Sequence, residues 1–149
     1  MDNVFDHEII TRSSDDTQEL AYEFIKNIPD NVSISLIGDL GAGKTTFVKG
    51  IARAIGIDHV VNSPSFDIVH IHSGKKTLIH VDAYRLDGSQ ESANGLFLED
   101  YLIPPYYLVV EWPHLLYGFC DNCDFTISFK ILLDGSHSIM IHDNRMIKE

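Results

Sequence analysis

The chain has 149 residues, a length typical of one domain with a single hydrophobic core. Hydrophobic residues make up 44% of it and charged residues 22%, proportions of a folded globular protein that exclude a disordered chain. The formal net charge of −11 repels a phosphate backbone, so we expect no strong direct binding of this chain to RNA or DNA.

The amino-terminal third predicts an edge strand, a helix and a second strand. Residues 7–12 could form a short edge strand, and Ser13-Ser14-Asp15-Asp16 predicts a helix start with a capping hydroxyl and acidic residues in the first turn. Apolar residues continue at helical spacing until Pro29 ends this helix. Residues 32–37 then read as a β-branched strand, which a glycine-rich stretch interrupts.

The rest of the chain predicts a second helix from Lys44, closed by Gly56 in a left-handed C-cap, followed by mostly β structure. A strand end runs into a polar turn at 60–66, and a polar loop precedes a short helix around Leu96–Tyr101. The continuous apolar run at 107–111 is typical of a buried central strand. Two hairpins are expected, one from 67–72 with 77–82 and one from 124–131 with 137–142, turned at Asp134-Gly135.

Residues 38–45, Gly-Asp-Leu-Gly-Ala-Gly-Lys-Thr, match the phosphate-binding pattern G-x-x-x-x-G-K-[ST] in full, between a predicted strand and a predicted helix. In this motif, backbone N–H groups and the helix N-terminus point at phosphate oxygens. Lys44 would add a cation for the β- and γ-phosphates, the Thr45 hydroxyl would bind Mg²⁺, and Thr46 is a candidate contact to the α-phosphate. We therefore predict ATP and Mg²⁺ as cofactors. The predicted ATP contacts are Gly38, Gly41, Ala42, Gly43, Lys44, Thr45, Thr46 and, bordering the base, Ser14.

Two carboxylates end predicted strands, Asp82 after Leu78–Val81 and Glu111 after Leu108–Val110. Mg²⁺ is usually held by one or two carboxylates, and ligands of open α/β sheets gather at the carboxyl ends of strands. Either residue alone also fits a surface or hydrogen-bonded loop acid. His80 and Tyr84 alternate with Asp82 and share its face if the strand continues, although a histidine on a strand is more often structural.

Four segments together resemble the TsaE (YjeE) family, the ATPase subunit of bacterial tRNA threonylcarbamoyladenosine synthesis. They are Gly38–Gly50, Asn62–Phe66, His80–Leu86 and Val110–Pro113. The resemblance implies an α/β fold, a P-loop NTPase-like three-layer sandwich with a mixed, mostly parallel central sheet and helices on both faces. It covers about residues 14 to 116.

The resemblance also implies roles for individual residues. Thr45 and Glu111 become Mg²⁺ ligands, Asp82 becomes the acid needed for hydrolysis together with the catalytic Lys44, and Trp112 lies beside the metal carboxylate. The switch-like loop comprises Ser63, Pro64, Ser65 and Phe66. The remaining motif residues are His80, Tyr84 and Arg85.

The implied partners are the threonylcarbamoyl-transferase subunit (TsaD) and its inactive paralogue (TsaB), with tRNA reached indirectly through the complex and no membrane. Arg85 is the one arginine within a motif, so we expect an arginine finger to be missing or supplied by a partner. Isolated protein should therefore hydrolyse ATP weakly.

Two other functions fit a phosphate-binding loop. A small-molecule kinase would close an arginine-rich lid over two substrates, and the sequence has no arginine cluster. A GTP-binding switch would carry an Asn-Lys-x-Asp signature, from which Asn122-Cys-Asp124 departs in both spacing and the missing lysine.

The compartment is predicted from absences in the sequence. The acidic first residues lack the apolar run of a signal peptide, and no stretch reaches the ~20 apolar residues of a membrane-spanning helix. Cys120 and Cys123 are spaced like a metal knuckle or redox pair, but without a second pair we favour two reduced thiols in a loop. We expect one cytoplasmic domain spanning residues 1–149.

Overall fold

The computed structural model describes residues 5–39, 41–57, 68–119 and 122–145. The strands are β1 (Glu8–Thr11), β2 (Val32–Ile37), β3 (Val69–Ser73), β4 (Thr77–Asp82), β5 (Tyr106–Glu111), β6 (Phe125–Ile131) and β7 (His137–Asp143). The α-helices are α1 (Ser14–Lys26), α2 (Lys44–Ala54) and α3 (Gln90–Asn94), and short 3₁₀ turns occupy Ala83–Arg85, Leu98–Tyr101 and Pro113–Leu115. These bounds agree with most predicted elements to within a few residues.

The seven strands form one mixed sheet in the order β1-β7-β6-β2-β5-β4-β3. The central ladders β6/β2, β2/β5 and β5/β4 are parallel, whereas β1/β7, β7/β6 and β4/β3 are antiparallel. Half of these ladders are antiparallel, so the prediction of a mostly parallel sheet is wrong. The reason is that short connections, such as the turn around Gly135, join only antiparallel neighbours.

The two long helices pack against each other on one face of the sheet. Ser13 caps α1 by accepting a hydrogen bond from the Asp16 N–H, and α2 ends before Gly56, whose φ of 78° fits the predicted left-handed cap. Gly50 allows the helices to approach closely, since a Cβ there would collide with the Gln18 carbonyl oxygen and lie 2.7 Å from the Ala21 Cβ. The shared core lies between these helices and the sheet.

The opposite face of the sheet is covered by short helical segments and loops. A second apolar cluster centres on Ile79, Val81, Leu108 and Val110, and residues from α3 and the 3₁₀ turns pack against it. The layer on this face thus contains no long helix within the described residues.

The short helix predicted around Leu96–Tyr101 is present as the 3₁₀ turn Leu98–Tyr101, but the polar stretch predicted as a loop before it, Asp87–Asn94, contains an α-helix. The α-helix of this region, α3, lies earlier, because the Ser89 side chain caps it by accepting from the Ser92 N–H. Phe97 adopts a left-handed φ of 52° and separates α3 from the 3₁₀ turn Leu98–Tyr101.

The strand end and polar turn expected at 60–66 lie outside the described residues. Across the part of the chain that the structure describes, no helix combines the length and apolar character that crossing a bilayer requires.

Candidate functional site

The parallel core of the sheet brings the glycine-rich loop and both predicted carboxylates to one edge. In the parallel ladders, Leu36 of β2 pairs with Glu111 of β5, and Glu111 pairs with Asp82 of β4. The loop begins directly after β2, so the carboxyl ends of three adjacent strands meet here. The expectation that Asp82 and Glu111 end parallel strands is confirmed.

The loop turns into α2 through backbone conformations that only glycine adopts easily. Gly43, the N-cap of α2, has a φ of 106°, and Gly41 has a φ of 81°. No side chain caps α2. The first N–H groups of this helix therefore face the cavity without a capping acceptor, an arrangement that favours an anion.

Lys44, the first residue of α2, is buried with its ammonium group at the base of the loop. Its Nζ donates a hydrogen bond of 2.7 Å to the Gly38 carbonyl oxygen. The same Nζ lies 4.6 Å from the centre of the Trp112 ring, within range of a cation–π interaction. The charged ammonium group of Lys44 therefore lies between the loop and Trp112, the residue after β5.

Glu111 is paired with a histidine in the interior. His80 is 0% and Glu111 4% exposed, and His80 Nε2 lies 2.7 Å from Glu111 Oε2. Because a carboxylate only accepts hydrogen bonds, Nε2 carries the proton and donates. The other ring nitrogen, Nδ1, has no hydrogen-bond partner within the described residues. His80 therefore holds the carboxylate that the sequence predicts as a metal ligand.

Asp82 is half-buried at the end of β4, and the pKa of its carboxyl group is raised above the ordinary 3.8. Burial is the main cause, and the negative charge of Glu111 adds to it. The Tyr84 N–H, which donates to Oδ1 at 3.0 Å, acts in the opposite direction, as do His80 and Lys44. These surroundings favour the neutral form of the carboxyl group more than those of an exposed aspartate do.

These groups surround one cavity of about 260 Å³. Its lining residues are Gly41, Gly43, Lys44, Thr45, Thr46, Asp82, Glu111, Trp112 and His137. A second cavity of about 230 Å³ adjoins it and includes the predicted Ser14 together with Ser13 and Thr17. Most of the predicted ATP contacts are thus brought together, although Gly38 and the buried Ala42 line neither of these cavities.

A known protein family matches most of the chain. A family model described as "Threonylcarbamoyl adenosine biosynthesis protein TsaE" matches residues 11–138, most of the chain. The chain belongs to the TsaE family. It therefore has a role in tRNA threonylcarbamoyladenosine biosynthesis.

Individual TsaE proteins agree with this assignment. The TsaE of Treponema pallidum is 31% identical over 132 residues, 89% of this chain and 97% of that protein. The TsaE of Aquifex aeolicus is 33% identical over 141 residues, 91% of this chain and 95% of that protein. The crystal structure of YdiB from Bacillus subtilis superposes with a TM-score of 0.73 at 27% identity, covering 95% of this chain and 88% of that one.

Two motif residues of this TsaE chain lie away from the cavity. The strand containing His80 ends at Asp82, so Tyr84 does not continue its alternation and instead lies exposed on the 3₁₀ turn Ala83–Arg85. The Tyr84 ring packs against Trp112, with 5.3 Å between centroids. Arg85 is also exposed. The predicted switch-like loop, Ser63 to Phe66, lies outside the described residues.

One residue of the TsaE site was missed from the sequence. His137 begins β7 and lines both cavities, and its Nδ1 would lie 2.9 Å from a Cβ at Gly43. No motif marks it, and its position depends on the strand order, which brings β7 next to β6 and β1.

Side chains typical of transition-metal sites do not cluster in the described part of this TsaE protein. No group of three or more His, Cys, Asp or Glu residues there is arranged to hold a metal ion. Cys123 is buried, and Cys120 lies outside the described residues, so the proposed thiol pair stays a prediction. A metal at the cavity would depend on hydroxyl and carboxylate oxygens together with ligands from a nucleotide.

Proposed function

We propose that this TsaE-family protein binds ATP with Mg²⁺ in the cavity at the ends of β2, β4 and β5, and hydrolyses it in support of tRNA threonylcarbamoylation. The observation that carries the proposal is the arrangement of Lys44, Thr45, Asp82 and Glu111 around one cavity of about 260 Å³. A cation, a hydroxyl and two carboxylates are the groups that a Mg²⁺–triphosphate site requires.

The donor set fits Mg²⁺ and a polyphosphate. The Thr45 hydroxyl and the Glu111 carboxylate are hard oxygen ligands on the same cavity, and the site lacks the thiol and imidazole cluster that softer metals prefer among the described residues. When bound, Mg²⁺ supplies positive charge that stabilises the developing charge on the phosphoryl oxygens. The remaining ligands would be phosphate oxygens and water.

The chain's own groups would then act as follows. Lys44 exchanges its hydrogen bond with the Gly38 carbonyl for contacts with phosphate oxygens, and the N–H groups opening α2 contact the same anion. Asp82 faces the cavity with a raised pKa and would orient the attacking water. The adjoining cavity with Ser14 offers space for the nucleoside end.

We further propose that the protein is one P-loop NTPase-like domain spanning residues 1–149 and acts in the cytoplasm with the transferase subunit and its inactive paralogue. The arginine that lies in a motif, Arg85, is exposed and does not line the cavity. Stabilisation of the transferring phosphoryl group by an arginine would therefore come from a partner, and isolated protein should turn over slowly.

Lys44→Ala tests this function directly. Lys44 would make about two charged hydrogen bonds to phosphate, and losing them costs ~3 kcal/mol, or about 100-fold in ATP affinity. Calorimetry with Mg²⁺ and ATP, and multiple-turnover tRNA modification in a reconstituted reaction, should both show the loss. Lys49→Ala is the matched control, because Lys49 lies on the same helix but is exposed.

Three results would count against the proposal. Equal multiple-turnover modification of tRNA by wild-type protein and Lys44→Ala would contradict the proposed role of ATP hydrolysis. Tighter binding of GTP than of ATP in competition would favour the switch, and a phosphorylated small-molecule acceptor after incubation with metabolites would favour a kinase.

A further inference from the structure

His137 lies at the junction of the two cavities that adjoin the phosphate-binding loop. We call the cavity lined by Lys44 and Thr45 the inner cavity, and the cavity lined by Ser13 and Ser14 the outer cavity. Two residues line both cavities, His137 and Thr46. A ligand that extends from one cavity into the other would therefore pass close to both side chains.

The imidazole of His137 is held against the turn of the loop. Its Nδ1 would lie 2.9 Å from a Cβ at Gly43, so the ring occupies the space that only a glycine leaves open. The backbone of His137 is fixed by β-pairing with Thr11 of β1 and Ile131 of β6. Among the described residues, no side-chain or backbone group forms a hydrogen bond with the ring.

We propose that His137 is a nucleotide-binding residue whose ring N–H donates a hydrogen bond to the α-phosphate. This inference rests on the proposed ATP-binding function and adds a contact from the far, antiparallel part of the sheet. The α-phosphate joins the phosphate chain to the nucleoside, and His137 occupies the corresponding place between the inner and outer cavities. A hydrogen bond from an imidazole N–H to a charged phosphate oxygen is stronger than a hydrogen bond between two neutral groups.

The proposal predicts a selective loss of nucleotide affinity. In calorimetry with ADP and Mg²⁺, His137→Ala should raise Kd about tenfold, which corresponds to about 1.4 kcal/mol. His137→Gln should recover part of the affinity, because its amide can still donate. His142→Ala is the matched control, since His142 lies on the same strand but bonds Asp6 far from the loop, and its Kd should stay within twofold of wild type.

A second measurement does not depend on the stability of an alanine variant. In NMR spectra of wild-type protein with labelled histidine rings, the His137 signal is assigned by its absence from the His137→Gln spectrum. ADP with Mg²⁺ should shift this signal and leave that of His142 in place. A Kd for His137→Ala within twofold of wild type, or an unmoved His137 signal at saturating ADP, overturns the inference.

The same data separate this inference from the function on which it rests. If His137→Ala alone behaves like wild type while Lys44→Ala loses binding, the nucleotide site stands and the role of His137 fails. If wild-type protein gives no heat with ADP, both the proposed function and this inference fail.

Discussion

The buried bond between His80 and Glu111 sets the geometry of the predicted metal ligand. At 2.7 Å it joins two side chains that are 0% and 4% exposed, and it leaves the second Glu111 oxygen for other ligands. Hydrogen bonds of this kind orient metal-binding carboxylates, and their loss typically weakens metal binding 10–100-fold. A single histidine on a neighbouring strand thus positions the residue to which the metal would bind.

We predict that His80→Ala weakens binding of Mn²⁺, used as a spectroscopic substitute for Mg²⁺, to the ADP complex by about 10–100-fold. Removing the donor leaves a buried carboxylate with an unpaired oxygen, so the free energy of unfolding should also fall by about 1–3 kcal/mol. Electron paramagnetic resonance of free Mn²⁺ measures the first effect and urea denaturation the second.

His80→Gln separates positioning from packing. The glutamine amide nitrogen can reach the place of Nε2, and no bond is lost at Nδ1, which has no partner among the described residues. We expect His80→Gln to restore Mn²⁺ affinity to within about threefold of wild type. Equal weakening of Mn²⁺ binding by both substitutions would mean that ring packing, and not the hydrogen bond, holds Glu111.

At the scale of the elements, the close packing of α1 against α2 requires that Gly50 has no side chain. A Cβ at Gly50 would collide with the Gln18 carbonyl oxygen and lie 2.9 Å from the Gln18 Cα, both of which belong to the backbone of α1. A backbone cannot rotate away as a side chain would, so the helices must separate. Because the glycine-rich loop leads into α2 at Lys44, this separation would displace the site.

We predict that Gly50→Ala lowers the free energy of unfolding by about 2 kcal/mol. Alanine favours the helix by ~1 kcal/mol over glycine, but overpacking of this kind costs about 1–3 kcal/mol and the rigid contact favours the upper end. Gly95→Ala is the control, because Gly95 has a φ of −64° and its nearest neighbours would lie 3.5 Å from the new Cβ. Urea denaturation should show Gly95→Ala within 0.5 kcal/mol of wild type. A neutral or stabilising effect of Gly50→Ala would contradict the packing described.

Most elements follow from local rules that a sequence displays. Ser13 caps α1, Gly56 ends α2, and the apolar run before Glu111 forms a buried strand, each because a short-range preference agrees with the tertiary structure. The register of β4 and β5 was not predictable in detail, but the expected parallel direction sufficed to bring Asp82 and Glu111 together.

The features missed from the sequence depend on contacts between distant segments. His137 meets Gly43 only because β7 lies between β1 and β6, and no local pattern specifies that order. The partner of His80 was equally hidden, since a histidine on a strand gives no sign of which side chain lies across the ladder. Short connections account for the β3/β4 and β6/β7 ladders, but no local pattern predicts the third antiparallel ladder, in which β1 pairs with β7 from the opposite end of the chain.

For the molecule as a whole, the site joins the two parts of the sheet. The parallel strands β2, β4 and β5 contribute the loop, Asp82 and Glu111, while the antiparallel strands β1 and β7 contribute Thr11 and His137 to the outer cavity. A nucleotide that contacts both parts would stabilise the whole fold and not one segment, provided that the chain unfolds as one cooperative unit.

We therefore predict a single thermal transition that nucleotide shifts as a whole. At a ligand concentration of 100 Kd, Mg²⁺ with ADP adds about 2.7 kcal/mol, which raises Tm by roughly 5–10 °C in a chain of this size. Trp112, the one tryptophan of the chain, lies beside Lys44 and reports on the site by fluorescence, whereas far-ultraviolet circular dichroism reports on all elements. Both transitions should coincide and move together, and Lys44→Ala, with affinity about 100-fold weaker, should reduce the shift to roughly 1–2 °C. If the Trp112 transition alone moved with nucleotide, the site would unfold separately from the rest of the sheet, and a single cooperative domain would be excluded.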